Sequence, residues 1–456
     1  MNKEKEFKGK KVLVVGMGRS GLAAAEALMD QGAVITLQDS KENCVDDKTL
    51  ERYKAYGIRC CFGAKPDDAE TYDVVVISPG VPKELDFVQK AVSNGAELIG
   101  ELELAYRIGS GTYIAITGTN GKTTTTTLVG EIFKASGRKT EVVGNIGIPV
   151  ASKAIDAADD EWLVTETSSF QLDTIRDFRP KVSAILNLAP DHLDRHKTYE
   201  NYIAAKARIF ENQTKEDFLI LNHDDEDTIK LAAQSKAVVI PFSRSLELKI
   251  GAFVHDGMIT IADLAENTHE ICRADELLIP GTHNLENALA AAAVAFFAGI
   301  DTKTIATVLK EFKGVEHRIE DCGEIDGVRY INDSKGTNPD AAEKAIKAMK
   351  ENILLIAGGY DKGSDFTEFA KLFEGRVKHV LLLGTTAVKI KEAAEKAGYT
   401  ETTIMKDMPA CVMEASRLAE PGDVVLLSPA CASWDMYDSY EQRGRHFKEC
   451  VEALKK

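Results

Sequence analysis

Short runs of β-branched residues alternate with helix-length amphipathic stretches along most of this chain. Such alternation is typical of parallel strands joined by crossover helices, so we expect an α/β fold. Turn or polar residues follow the runs, and ligands of open α/β sheets gather at such strand ends. The predicted strands are residues 12–15, 34–37, 74–77, 113–117, 162–165, 182–186, 328–331, 353–356, 380–383 and 424–427, with an alanine-rich helix at 284–298.

The length predicts more than one domain. A chain of 456 residues exceeds what one hydrophobic core usually supports, and about 150 residues per domain suggests three. The first group of strands ends near residue 100, and the pattern restarts after Val315. We expect domains at 1–100, 101–314 and 315–456, each a mainly parallel sheet flanked by helices.

Charge limits the possible partners. The chain carries 72 acidic and 56 basic residues, a net charge of -16, which repels polyphosphate backbones. We therefore expect no nucleic-acid partner. An anionic substrate must be held locally, by glycine-rich turns, helix N-termini and single Lys or Arg side chains.

The sequence also indicates where the protein works. Its amino terminus does not resemble a signal peptide, and no stretch approaches the roughly 18 apolar residues of a membrane span. The eight cysteines show no CxxC pair, which fits reduced thiols in the cytosol. We expect a soluble, cytoplasmic protein without a membrane partner.

A first glycine cluster follows the first predicted strand and begins a helix. Glycines at 16, 18 and 21 allow close approach to a pyrophosphate, and Asp39 at the end of the next strand can accept from a ribose hydroxyl. NAD and a UDP-sugar both satisfy this chemistry, and a tight strand-to-helix turn without a ligand is the alternative. The candidate residues are Gly16, Gly18, Gly21 and Asp39.

A second cluster, TGTNGKTT at 117–124, is more specific for nucleotide phosphates. Lys122 should neutralise the β and γ phosphates, the loop amides should cradle them, and Thr123 should bind magnesium. The spacing of the standard phosphate loop requires glycine at 116, where Ile116 stands, so this is a shortened GxxGKT loop. The candidate ATP-binding residues are Gly118, Thr119, Asn120, Gly121, Lys122, Thr123 and Thr124.

Carboxylate and imidazole groups follow two later strands. Glu166 comes after the strand 162–165, at the sheet edge where a magnesium ligand belongs. His192 and His196 lie four residues apart, but the intervening Leu, Asp and Arg do not form HExxH, which argues against zinc protease chemistry. For His196, a solvated or capping role is the alternative.

Two further motifs are ambiguous by themselves. Lys206 lies in the helical run AAKARIF, and such a lysine normally extends its ammonium group to solvent. Asn284 and Asn287 share one helix face and could read an adenine edge, although helix capping by Asn explains them equally well.

Taken together, these motifs resemble the Mur ligase family over residues 10 to 450. The family's order of motifs is present as TGTNGKTT, GNIG, ETSSFQL, DHLDRH, the AAK lysine, HNLENALAA, EHRIE, NDSKGTNPDA and LSPACASWDMY. The resemblance implies Rossmann-like first and third domains around a phosphate-loop ATPase-like central domain. It also implies a monomer with ATP, UDP-N-acetylmuramoyl-L-alanine and D-glutamate as substrates, in peptidoglycan precursor synthesis.

The resemblance assigns roles by matching position. It implies that the first glycine cluster holds a UDP group, so the NAD interpretation falls. It implies two magnesium ions, one on Thr123 and Glu166 and one on His192 and a carbamylated Lys206. The other implied residues are Gly80 and Asn145 for the UDP-substrate; Asn284, Asn287, Arg318 on the γ phosphate and Asp333 on the ribose for ATP; and Lys335, Thr337, Lys362 and Ser433 around phosphate transfer and D-glutamate.

The implied reaction activates a carboxyl group. The L-alanine carboxylate attacks the γ phosphate of ATP, and the amine of D-glutamate then attacks the acyl phosphate. Because water would hydrolyse that intermediate, we expect the third domain to close over the second, with a hinge near Val315.

Three other functions compete with this one. A related ligase could add L-alanine, a diamino acid or folate glutamate, but LSPACASWDMY argues against these, and Asn338-Pro339-Asp340 is not the Asn-Pro-Arg signature of the diamino-acid enzymes. A non-catalytic nucleotide-binding regulator would be expected to lose Lys122, Glu166 or His192, and all three are present. An oxidoreductase using the first glycine cluster would bind NADH.

Overall fold

The first aliphatic runs form a five-stranded parallel sheet in the computed structural model, which describes residues 6–279, 281–350, 352–361 and 363–455. The strand order is β3-β2-β1-β4-β5, with the strands β1 Lys11–Val15, β2 Val34–Asp39, β3 Arg59–Phe62, β4 Val74–Ile77 and β5 Glu97–Gly100. Val12 and Val14 pack on one face and Leu13 and Val15 on the other, because successive side chains alternate. The helices are α1 Arg19–Gln31, α2 Asp47–Ala55, α3 Asp86–Ser93 and α4 Glu101–Ile108.

The second sheet has nine strands in the order β14-β13-β12-β11-β10-β9-β6-β8-β7. Its strands are β6 Thr112–Thr117, β7 Thr140–Gly144, β8 Trp162–Glu166, β9 Val182–Ile185, β10 Phe218–Asn222, β11 Val238–Ser243, β12 Gly251–His255, β13 Met258–Ala262 and β14 Thr268–Arg273. Its helices are α5 Lys122–Ala135, α6 Ala151–Ala154, α7 Ser169–Leu172, α8 Leu193–His196, α9 Tyr199–Ala207, α10 Glu226–Lys230, α11 Thr282–Phe297 and α12 Thr302–Glu311.

The third sheet has six strands in the order β15-β16-β20-β17-β18-β19. Its strands are β15 Glu320–Ile325, β16 Val328–Asn332, β17 Ile353–Ala357, β18 Val377–Leu382, β19 Thr402–Ile404 and β20 Val424–Leu427. Its helices are α13 Pro339–Ala348, α14 Thr367–Lys371, α15 Ala387–Lys396, α16 Met408–Leu418 and α17 Tyr440–Ala453.

The three sheets confirm the predicted α/β class with mainly parallel strands. β13 and β14 pair antiparallel across a longer loop. Two other antiparallel pairs form where Asp-Gly makes a two-residue turn, at Asp256-Gly257 between β12 and β13 and at Asp326-Gly327 between β15 and β16. All four turn residues have positive φ, as the tight hairpin turn requires. The sequence analysis did not use this signal and missed these hairpins.

The described residues form two compact units. The first comprises residues within Met1–Leu277 and His283–Glu311, and so contains the first two sheets; the second comprises residues within Leu278–Thr282 and Phe312–Lys456. In the first unit, α4 contacts both α1 and α6 and so packs the two sheets' helices together. Across the described part of the chain, no helix combines the length and apolar character needed to cross a bilayer.

Candidate active site

The phosphate loop connects the centre of the second sheet to α5. Its strand β6 lies between β8 and β9, so the loop emerges among three parallel carboxyl ends. Gly118 and Gly121 have φ of 153° and 82°, a region that favours glycine. A Cβ at Gly121 would lie 2.2 Å from Asn287 Oδ1, so the loop and α11 approach too closely for any side chain there.

Asn187 fixes the shape of this loop. Its Oδ1 accepts from the Asn120 amide at 2.8 Å, its Nδ2 donates to the Asn120 carbonyl at 3.1 Å, and its own carbonyl accepts from the Thr119 amide at 2.9 Å. The sequence analysis assigned no role to Asn187. Its position directly after the predicted strand 182–186 was the available signal.

Two lysine side chains meet at one carbonyl of the loop. Lys122 Nζ and Lys206 Nζ each donate to the Gly118 carbonyl oxygen at 2.9 Å. Lys206 comes from α9, is only 2% exposed, and also donates to Thr117 Oγ1 at 3.3 Å. The expectation that Lys206 extends to solvent is therefore wrong, because α9 packs its inner face directly behind the loop.

Burial changes the protonation of Lys206. Loss of solvent holds the pKa of its amine well below the ordinary value, and the nearby Lys122 charge lowers that pKa further. The Tyr202 ring centroid lies 4.7 Å from Nζ. A buried amine with a lowered pKa is available in its neutral, nucleophilic form.

Glu166 lies beside the loop with one oxygen satisfied and one open. It is the last residue of β8 and pairs in register with Ile116 of β6. Its Oε1 accepts from Asn145 Nδ2 at 2.8 Å, whereas its buried Oε2 has no hydrogen-bond partner among the described residues. An unpaired buried carboxylate oxygen is costly unless a cation or donor completes it.

The two histidines of DHLDRH contact the same aromatic ring. Phe170 stacks on His196 with ring centroids 5.2 Å apart, and its ring is edge-on to His192 at 5.0 Å. His196 Nε2 also hydrogen-bonds Ser169 Oγ at 2.9 Å, and the side chain is partly buried. The His192 side chain is 50% exposed and has φ of 52°.

Asn284 and Asn287 face the loop from α11. Asn287 Nδ2 donates to Asn284 Oδ1 at 3.1 Å, which confirms that they share a helix face. Asn287 Oδ1 accepts from Thr125 Oγ1 at 3.3 Å. Because α11 begins at Thr282 and both side chains are buried within it, the capping alternative is wrong.

The first glycine cluster lines a cleft in the first unit. Gly16 has φ of 89°, and a Cβ on Gly21 would lie 1.8 Å from the Gly16 carbonyl oxygen, so both positions need glycine. The cleft has a volume of about 390 Å³ and continues the strand ends of the first sheet. The structure brings together here the predicted residues Gly16, Gly18, Asp39, Gly80 and Asn145.

Asp39 supports the loop as well as the cleft. Its carboxylate accepts from the Met17 amide at 2.7 Å and from the Lys41 amide at 2.9 Å. A neighbouring cavity of about 460 Å³ also contacts Gly16, Asp39 and Gly80. The predicted Asp39 therefore sits between two adjoining cavities, with part of its hydrogen-bonding capacity used by the backbone.

Polar residues of the second unit gather at the carboxyl ends of its strands, the sheet edge that we call its crevice. Asp333 follows β16, is buried, and accepts from Ser428 Oγ at 2.7 Å and from the Ile319 amide at 3.3 Å. Burial raises the pKa of this carboxyl to about 6, although the positive charge of Arg318 lowers it. Arg318 and Asp333 are thus close enough to interact.

Two of the residues predicted to bind D-glutamate, Thr337 and Ser433, lie on loops at the same edge. Thr337 follows β16 and Ser433 follows β20, the strand paired with β16. Ser433 is buried, and its carbonyl accepts from the Met436 and Tyr437 amides. Lys335 Nζ lies 5.4 Å from the Tyr440 ring centroid. Lys362 lies outside the described residues.

Comparison with known proteins identifies the family. Residues 10–100 match the Mur ligase MurD-like N-terminal domain, 116–295 the Mur ligase middle domain, and 317–431 the Mur ligase glutamate ligase domain. A UDP-N-acetylmuramoylalanine–D-glutamate ligase of Thermoanaerobacter sp. (strain X514) is 51% identical over 454 residues, 99% of this chain and 100% of the relative. The chain belongs to the Mur ligase family. A similarly named enzyme of Clostridioides difficile (strain 630) is 48% identical over 99% of this chain and 100% of its own.

Solved Mur ligases share the fold of this one. The UDP-N-acetylmuramate–alanine ligase of Thermotoga maritima aligns with a TM-score of 0.59 and 19% identity, over 98% of this chain and 100% of its own. A pseudomurein peptide ligase type C of Methanothermus fervidus aligns with a TM-score of 0.59 and 20% identity, over 98% and 100%. At this identity the likeness concerns the fold.

The residues that the resemblance assigns to magnesium are mixed in kind. Within the described ranges, no three His, Cys, Asp or Glu side chains converge as a metal cluster. The unpartnered Glu166 Oε2 and the buried Lys206 amine, whose pKa is lowered, nevertheless suit a cation site, because a carbamate on Lys206 would supply carboxylate oxygens. The donor set thus fits magnesium once Lys206 is carbamylated.

Proposed function

We propose that this Mur ligase uses ATP to join D-glutamate to UDP-N-acetylmuramoyl-L-alanine. The names of its relatives supply the substrates, and one observation carries the chemistry. Lys122 and the buried Lys206 converge on the Gly118 carbonyl beside the half-satisfied Glu166. A phosphate loop beside a site that can bind a cation, here at Glu166 and Lys206, suits phosphoryl transfer to a carboxylate.

In this proposal, each of the three predicted domains binds one substrate. Domain 1–100 and Asn145 bind the UDP-substrate, domain 101–314 binds ATP, and domain 315–456 binds the incoming amino acid. The cleft of about 390 Å³ supports the first assignment, because it joins Gly16, Asp39 and Gly80 to Asn145, whose amide also holds Glu166. The sugar-linked end of the substrate would therefore lie beside the phosphate loop.

ATP is held from several sides. The amides of residues 118–124 would face its phosphates, and Asn287 supports this loop from α11. Arg318 would contact the γ phosphate and Asp333 the ribose, and Asn284 and Asn287 complete the nucleotide site. Asp333 is suited to bind a hydroxyl because its Oδ2 already orders Ser428.

The residues present would hold two magnesium ions. Thr123 and Glu166 would bind one, and His192 and carbamylated Lys206 the other. Bound magnesium would neutralise phosphate charge that Lys122 alone cannot. Phe170, edge-on to His192, limits the directions in which that imidazole can point.

The reaction proceeds by carboxyl activation. An oxygen of the L-alanine carboxylate attacks the γ phosphorus, the bond to the ADP oxygen breaks, and an acyl phosphate forms. The neutral amine of D-glutamate then attacks the carbonyl carbon, loses a proton and displaces phosphate. Lys122 stabilises charge on the transferring phosphoryl oxygens. Closure about Val315 would exclude water during these steps.

The cellular setting follows from the product. A UDP-linked muramoyl dipeptide is a peptidoglycan precursor, so we place the enzyme in the cytoplasm, in cell wall biogenesis and hence in cell shape and division. We propose that it works as a monomer.

Release of ADP and phosphate by the purified enzyme tests the function. With ATP, magnesium and UDP-N-acetylmuramoyl-L-alanine, we expect turnover with D-glutamate and not with L-glutamate, L-alanine or a diamino acid. Reactions that omit one substrate serve as controls. Equal turnover with another amino acid would contradict the proposed substrate, and no turnover with any would contradict the ligase reaction.

A further inference from the structure

Three separate loops carry the residues proposed to bind the amino acid. Thr337 lies after β16, Lys362 after β17 and Ser433 after β20, and these three strands are neighbours in the order β16-β20-β17. The loops are remote in sequence, so contacts other than chain connectivity must set the spacing of their side chains.

A buried guanidinium joins two of these loops. Arg443 of α17 is 2% exposed, and its Nε and Nη2 donate to Ser334 Oγ at 3.0 Å and to the Ser334 carbonyl at 2.8 Å. On the other side, Nη2 donates to the Cys431 carbonyl at 3.1 Å and Nη1 to the Ala432 carbonyl at 3.2 Å. The loop after β16 is thereby tied to the loop after β20.

The third loop meets the same point. The Ala432 carbonyl also accepts from the Tyr360 amide at 2.9 Å, in an isolated bridge between the two loops. At Gly359, a Cβ would lie 2.3 Å from that carbonyl oxygen and 3.2 Å from Arg443 Nη1. The loop that leads to Lys362 is thus packed against both the carbonyl and the guanidinium.

Burial of the Arg443 cation is energetically unfavourable, which a purely structural role does not explain. All four hydrogen-bond acceptors of Arg443 are uncharged, although the Asp435 and Asp333 charges also favour the cation. Burial of a cation is unfavourable, and hydrogen bonds to uncharged partners offset this only in part. The loop it holds also contains Ala430, a non-glycine residue with φ of 58°. The planar guanidinium group of arginine carries five N–H groups and can therefore donate to all of these acceptors at once.

We propose that Arg443 is a positioning residue for the amino-acid substrate, which it does not itself touch. By holding Ser334, Cys431 and Ala432 together, it sets the spacing of the loops that carry Thr337 and Ser433 and of the loop that leads toward position 362. This inference rests on the proposed function, because it takes the crevice of the second unit as the amino-acid site.

Arg443→Lys tests the proposal, because lysine keeps the charge and loses the fork. We expect the KM for D-glutamate to rise at least about tenfold, while the KM for UDP-N-acetylmuramoyl-L-alanine, assigned to the first unit, stays within about twofold. Arg445→Lys is the matched control, since Arg445 is exposed on the same helix, and should leave both values unchanged.

A second variant keeps the test decisive if Arg443→Lys does not fold. Ser334→Ala removes the acceptor of Nε and keeps Arg443, so we expect a smaller rise in the same KM. An unchanged KM for D-glutamate in the folded variants, or an equal rise for every substrate, would overturn the positioning role. If the wild-type enzyme prefers another amino acid and Arg443→Lys raises that KM instead, the proposed substrate is wrong and the positioning role stands.

Discussion

The phosphate loop of the first unit and the crevice of the second occupy equivalent places, at the carboxyl ends of parallel strands, but are assembled differently. The loop is one contiguous segment, residues 117–124, directed by its own glycines. The crevice is drawn from three loops separated by up to about a hundred residues, around Arg443. A contiguous site is visible as a sequence motif, whereas a dispersed one depends on a side chain that has no motif.

Burial also affects the protonation of the basic side chains in the two regions differently. In the first unit, burial lowers the pKa of the Lys206 amine, which favours its neutral, nucleophilic form. In the second, burial lowers the pKa of Arg443 only to about 10, so its guanidinium stays charged at neutral pH and acts through hydrogen bonds. The first region should therefore be sensitive to loss of single functional groups, and the second to loss of geometry.

The largest expected effect is at Lys122. Lys122→Ala should lower turnover by at least about 10²-fold, because one preorganised charge on a transferring phosphoryl group contributes that much. Its Nζ donates to the Gly118 and Thr119 carbonyls of the loop, and loss of these loop contacts should move the thermal midpoint little. ADP release and thermal unfolding measure the two effects. Lys134→Ala, on the exposed side of the same helix, is the control. If Lys122→Ala retained more than about a tenth of wild-type turnover, the role of Lys122 in phosphoryl transfer would be refuted.

Carbamylation of Lys206 is the next expected effect. With ¹³C-bicarbonate, we expect a carbamate carbon signal that Lys206→Ala abolishes and Lys122→Ala retains. Because carbamate formation needs the neutral amine, whose pKa is lowered by burial, the signal should be present at neutral pH and decline as acid protonates the amine. Active enzyme without this signal would contradict the proposal.

A smaller effect is expected in the crevice of the second unit. Lys362→Ala and Ser433→Ala should each raise the KM for D-glutamate at least about tenfold, near the 1.4 kcal/mol of one charge-assisted contact, and change the KM for ATP far less. Steady-state kinetics with each substrate varied in turn measures this. Lys371→Ala, an exposed lysine of α14, is the control. An equal change in the KM for ATP would show that the crevice is not specific for the amino acid.

The smallest effect concerns stability alone and involves Glu101 of α4. This buried carboxyl accepts from the Ala151 amide, and burial raises its pKa to about 7. A raised carboxyl pKa stabilises the fold below the unfolded value near 4.5, and this stability is lost as pH rises through 7. Glu101→Gln should remove this pH dependence. The thermal midpoint of the variant minus that of the wild type should therefore increase by a few degrees as pH rises from about 5 to 8. Glu131→Gln, exposed on α5, should show no such trend.

Much of the fold was predictable because its signals are local. The strands 74–77 and 424–427 were predicted at their observed bounds, since each is a short, fully buried aliphatic run. The Asp-Gly hairpins were equally local and could have been predicted. The phosphate-loop motif was recognisable because glycine, lysine and threonine must be consecutive there to follow a phosphate chain.

The sequence by itself determined the α/β class, the phosphate loop and the family resemblance, each of which depends on neighbouring residues or on motif order. Only the tertiary structure decided that Lys206 is buried against the Gly118 carbonyl, that Asn187 braces the loop and that Arg443 joins the loops after β16 and β20. Desolvation and hydrogen bonding are set by neighbours in space, and for these residues the neighbours come from elements far apart in the chain.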